Sequence, residues 1–90
     1  MFEIYLSNNA YKSLKKLGQK IGQKVKQALI SLKISPLPIK EHDIKKIVGV
    51  EDTYRIRISN YRIIYAIDWK NKEINVIRIS KKDEKTYKKL

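Results

Sequence analysis

Tyr54-Arg55-Ile56-Arg57-Ile58-Ser59-Asn60-Tyr61-Arg62-Ile63 is the stretch whose reading decides the fold. Through Ile58, apolar and charged residues alternate with period two, as on a strand whose successive side chains point to opposite faces. Ser59-Asn60 is polar and turn-compatible. A two-residue turn there joins two antiparallel strands and predicts Ile58 opposite Tyr61 and Arg57 opposite Arg62. Ile56 and Ile58 then face a core, while Arg55, Arg57 and Arg62 project together from the other side. Like charges placed directly opposite cost a few tenths to ~1 kcal/mol. A phosphate backbone would relieve that repulsion and accept forked hydrogen bonds from each guanidinium. A loop one residue longer or shorter would turn Arg62 to the other face. The plain alternative is a solvated face on which the arginines lie as aliphatic cover.

Working outward, residues 53–59 and 61–69 read as the paired strands. Residues 44–48 read as a shorter strand before them, closed by Gly49-Val50-Glu51-Asp52, and residues 73–80 as a last strand after the Lys70-Asn71-Lys72 turn. Tyr61, Ile63, Tyr65, Ile67 and Trp69 form a stripe assigned to the core, although Tyr65 and Trp69 could also stack on bases. On the arginine side, Ile64 and Ala66 are expected near Ile77 and Ile79. Apolar positions on both faces imply that the C-terminal segment or a partner chain covers part of that side.

Upstream, residues 2–6 alternate as a short strand, and Asn8 or Asn9 offers a helix N-cap. Ala10, Leu14 and Leu17 recur at helical spacing, and Gly18 ends or kinks that helix. Ile21, Val25, Leu29 and Leu32 mark the apolar face of a second helix. Ser35-Pro36-Leu37-Pro38 stops it, because proline cannot continue a helix. The predicted fold class is α+β in the order β-α-α-β-β-β-β. An N-terminal strand and a two-helix hairpin precede a four-stranded, mainly antiparallel sheet. The helices lie on one face, and residues 83–90 are a short C-terminal helix or a frayed end.

Composition sets the function classes. The chain has 90 residues, 42% hydrophobic and 33% charged, with Lys+Arg 21 against Asp+Glu 9 and a net charge of +12. This fits one domain over residues 1–90 with one core. So large a positive charge opposes compaction unless a polyanion or acidic partner offsets it. With no cysteine and a single histidine, His42, thiolate sites, cysteine nucleophiles and multi-histidine metal sites are excluded. His42 is expected to be an ordinary exposed histidine. No apolar run approaches the ~20 residues of a membrane span, and the opening Met-Phe-Glu-Ile-Tyr-Leu lacks the regions of a signal peptide. A cytoplasmic protein without a membrane partner is expected.

The ordered set Lys46-Ile47-Val48-Gly49, Tyr54-Arg55-Ile56-Arg57-Ile58, Tyr61-Arg62-Ile63-Ile64-Tyr65 and Ser80-Lys81-Lys82-Asp83 with Tyr87 resembles the RelE family of toxins, within the RelE/ParE superfamily. The resemblance spans nearly the whole chain. It implies the toxin of a toxin–antitoxin pair, neutralised by an acidic RelB-like antitoxin that wraps around it. Its partners would be the ribosome and messenger RNA. The implied reaction is mRNA cleavage without metal or cofactor, in which the RNA 2′-hydroxyl attacks the adjacent phosphate and leaves a 2′,3′-cyclic end. Carried over by position, Arg57 and Arg62 would stabilise the transition state. Lys82, where the family usually has arginine, would protonate the leaving 5′-oxygen. Arg55 or Tyr87 would orient the 2′-hydroxyl. Lys45, Lys46, Lys81 and Lys85 would add to RNA binding. Arginine is a poor general base because it stays protonated, so the base is left open. Two other readings share the fold: a ParE-like inhibitor of DNA gyrase without catalysis, and a basic nucleic-acid-binding module.

Overall fold

The computed structural model describes residues 1–81. Along them run β1 (Glu3–Leu6), α1 (Asn8–Lys16), α2 (Gln19–Ile34), β2 (Asp43–Lys46), β3 (Thr53–Ile58), β4 (Tyr61–Asp68) and β5 (Glu73–Lys81). All the strands join one sheet in the order β1-β5-β4-β3-β2. The α+β class and the element order match the sequence reading. The sheet, however, has five strands rather than four, because the N-terminal strand adds to the β5 edge. There it runs parallel to β5, with Ile4 opposite Ile74 and Leu6 opposite Val76. All other neighbours are antiparallel.

The helices cover one face because each element presents an apolar stripe to it. Val25, Ala28, Leu29 and Leu32 of α2 and Ala10 of α1 are buried with Ile56, Ile58, Ile63, Tyr65, Ile67, Ile74, Val76 and Ile79 of the sheet. Burying one such aliphatic side chain contributes roughly 1.5–3 kcal/mol. The N-cap of α1 is Ser7, not Asn8 or Asn9. Its hydroxyl accepts from the Ala10 amide at 3.0 Å and donates to the Ile77 carbonyl at 2.7 Å, so the cap also ties the helix to β5. Gly18 is the N-cap of α2, and the break between the helices falls at Leu17-Gly18. The Pro36 carbonyl then accepts a buried hydrogen bond of 2.8 Å from the Tyr65 hydroxyl. That bond fixes the chain after α2 to the centre of the sheet.

Three expectations are corrected. The 44–48 strand runs instead as Asp43–Lys46, because the Ile47 amide closes onto the Thr53 carbonyl and Gly49 turns the chain at φ 89°. Trp69 is not in the core. Strand β4 ends at Asp68, and Trp69 stands 48% exposed, edge-on to Phe2 at 5.8 Å. The third correction is a bulge between β4 and β5. Ile64 pairs with Arg78 but Tyr65 pairs with Val76, which leaves Ile77 as the extra residue. Ile79 therefore packs in the core opposite Ile63 instead of lying on the arginine side. The expected C-terminal helix lies outside the described residues.

Burial, with Tyr54 nearby, pushes the Tyr65 phenol far above its ordinary value of 10.0. The folded state holds that proton more tightly than the unfolded chain. Its contribution is therefore complete below pH 10 and is lost as the pH rises above it. Tyr65→Phe is expected to cost about 1 kcal/mol in denaturant unfolding at neutral pH. The gap to wild type should narrow above pH 10.

Candidate nucleic-acid interface

The open face of the sheet is organised as cross-strand rows. Pairing places Asp43, Arg57, Arg62 and Ser80 side by side across β2, β3, β4 and β5. The next row is Lys45, Arg55, Ile64 and Arg78. Adjacent strands lie ~4.8 Å apart, so each row spans a few phosphate diameters. The two-residue turn that sets this register has Ser59 at φ 55°, a left-handed conformation held at its tip.

The arginines differ in what they touch. Arg57 and Arg78 are exposed. The Arg55 side chain is only 12% exposed and donates to Asp43 at 3.4 Å, while Asp43 itself is 51% exposed. Arg62 is half-buried, and its Nε is buried with no hydrogen-bond partner among the described residues. A buried donor left unmatched costs roughly 1–3 kcal/mol. Beside a second guanidinium, that N–H could donate to an oxyanion able to accept from both.

Arg55, Arg57 and Arg62 thus share one face as the alternation predicts, and Lys45 joins them through its pairing with Arg55. Lys46 and Lys81 do not: they pair with Tyr54 and Tyr61, and so sit in rows that face the helices. Lys82, Lys85 and Tyr87 lie outside the described residues. Two members of the face were missed in the sequence. Arg78 reaches it only because the bulge shifts β5 by one residue, and no residue type announces that shift. Asp43 fell just before the strand expected from Ile44, although it opens β2. His42, expected to be simply exposed, is half-buried beside a cleft of about 450 Å³ that Lys24, Gln27, Ser31, Glu41 and Arg57 also line.

Against known proteins, residues 4–86 match the family model described as the ParE toxin of the type II toxin–antitoxin system, parDE. A curated protein of Methanocaldococcus jannaschii named RelE1 is 32% identical over 82 residues, 91% of each chain. The fold is also that of an archaeal RelE–RelB complex from Pyrococcus horikoshii, with TM-score 0.83 and 25% identity over 92% of this chain and 97% of that one. A RelB–RelE antitoxin–toxin complex from Methanococcus jannaschii gives TM-score 0.74 and 27% identity over 91% and 93% of the two chains.

The directly opposed Arg57 and Arg62 carry a cost that removal of one should reveal. Arg57→Thr, which keeps a strand-forming residue, is expected to raise stability by a few tenths to about 1 kcal/mol. The gain should be largest at low salt and shrink as salt screens the pair. Chemical denaturation at two ionic strengths measures it.

Proposed function

The chain belongs to the RelE/ParE family of type II toxin–antitoxin toxins, and from that premise we propose that residues 1–90 form one domain that cleaves messenger RNA on the ribosome. The observation that carries this reading is the unmatched buried Nε of Arg62 beside Arg57, on a sheet face that also carries Lys45, Arg55 and Arg78. Such a pair suits the charge that grows on a phosphate during transfer, when positioning and electrostatics do most of the work.

RNA brings its own nucleophile in the 2′-hydroxyl. In this reading Arg62 and Arg57 clamp the non-bridging oxygens through the five-coordinate transition state. Arg78, exposed one row away, reaches the neighbouring phosphate. Arg55 is already engaged by Asp43 and so positions that carboxylate more than it binds RNA. Lys82 would protonate the leaving 5′-oxygen, and Tyr87 would orient the 2′-hydroxyl. Lys45 would extend the phosphate path, with Lys85 as a further contact. Lys46 and Lys81, on the helix-side rows, are left to long-range attraction. No cofactor enters the scheme. The partner expected in the cell is an acidic RelB-like antitoxin, by analogy with the RelE–RelB complexes that share the fold.

A second reading is inhibition of DNA gyrase without catalysis, favoured by the ParE description of the matching family model. Primer extension on a defined mRNA, translated in vitro with purified protein, separates the two. The ribonuclease gives cuts phased to the reading frame that require ribosomes, and Arg62→Ala slows them by about 10²-fold or more. Intact mRNA together with gyrase-dependent DNA breaks would establish the second reading instead.

A further inference from the structure

The cations of this face cannot supply one component that the proposed chemistry requires. Attack by a 2′-hydroxyl needs an acceptor for the proton, and guanidinium groups cannot take it. A carboxylate that lies among the arginines of this face is Asp43. It occupies the end of the row Asp43–Arg57–Arg62–Ser80, directly opposite Arg57. Asp68 and Glu73 sit at the far end of β4 and β5, paired with each other, where Asn71 occupies the Asp68 carboxylate. Asp43 is half-exposed, so a substrate can reach it, and Arg55 holds one of its oxygens at 3.4 Å. The second oxygen is free to accept among the described residues.

We propose that Asp43 is the general base that takes the 2′-hydroxyl proton. This inference rests on the ribonuclease reading above. The row supplies the order that in-line displacement needs: a proton acceptor at one end and cations under the phosphate in the middle. Asp43 accepts the proton from O2′ as the O2′–P bond forms. The P–O5′ bond breaks on the opposite side, and the 5′-oxygen takes its proton from the general acid, the role proposed above for Lys82. The products are a 2′,3′-cyclic phosphate and a 5′-hydroxyl. Asp43 then gives its proton to water and the general acid takes one back, which restores the starting protonation.

The charged groups around Asp43 are Arg55 and Arg57 on β3, Lys45 on its own strand, and Glu41 and His42 in the loop before it. Arg55, Arg57 and Lys45 are cationic, so the carboxylate is flanked mainly by groups of opposite charge.

The test is single-turnover cleavage of ribosome-programmed mRNA across acid to neutral pH, with wild type, Asp43→Asn and Asp43→Glu. Asn keeps the hydrogen bond to Arg55 but cannot take a proton. Asp43→Asn is expected to slow cleavage about 10²- to 10⁴-fold. KM should be unchanged, and the fall in rate toward acid pH should disappear. Asp43→Glu should recover part of the rate and keep the acid limb. Thermal melts of the three proteins confirm that the edge strand is intact. Cleavage by Asp43→Asn at the wild-type rate overturns the assignment. So does a slowed rate that retains the wild-type acid limb, which marks Asp43 as merely positioning Arg55. Failure of the wild type itself to cut removes the ribonuclease reading and this assignment with it, and is told apart because it appears before any variant is examined.

Discussion

Everything on the open face depends on the pairing of β3 with β4 through a turn of two residues. Ser59-Asn60 is the shortest connection that brings Arg57 opposite Arg62. The same register seals Ile56 against Ile63 in the core. These two outcomes cannot be separated. A slip of one residue would bury the guanidinium groups and expose the isoleucines, at a cost of many kcal/mol in lost apolar burial and unpaired charge. The hydrophobic core thus enforces the arginine cluster that electrostatics alone would disperse. The left-handed Ser59 at the turn is a local strain accepted for the same reason.

The bulge at Ile77 performs a second alignment. Without it, β5 would carry Ile77 and Ile79 onto the open face. With it, Ile79 enters the core and Arg78 joins the cationic rows. The Ile77 carbonyl that the bulge displaces is the acceptor for Ser7, the cap of α1. One irregular residue therefore links the start of the helical layer, the close of the core and the composition of the open face. Bulges tend to sit where a strand must re-aim a side chain, and here the side chain re-aimed is a guanidinium.

These features mark how far the sequence could be read. Period-two alternation gave the strands, their faces and the Arg57–Arg62 pairing, because those follow from side-chain geometry and one short turn. It could not give the bulge, which is a long-range compromise between β5, β4 and α1 with no signature in residue type. The position of Trp69 failed for a related reason. Alternation extended the stripe by one residue, but the Asn71 amide groups capture Asp68, and the strand stops there. Asp43 was hidden because a four-residue edge strand is too short for periodicity to separate it from the loop before it. The N-terminal strand was legible as a strand but not as the parallel neighbour of β5. A parallel pair joined through two helices has no local turn to declare it.

The use of strands rather than loops to carry these charges has a physical consequence of its own. On a loop, like charges would swing apart and each would relax into water. On adjacent strands they cannot separate, since the spacing of ~4.8 Å is fixed by the backbone ladder. The repulsion is then stored in the free protein, and in the proposed reading a bound anion would release it, favouring a highly charged ligand over a neutral one. Arg62 adds to this, because its buried Nε has already lost its water and has no other partner among the described residues to give up. The desolvation cost is met during folding by the isoleucines on the reverse of the same strands, not at the moment of binding. Under the proposed function this would be preorganisation: the core supplies the energy that holds the cations together on one face.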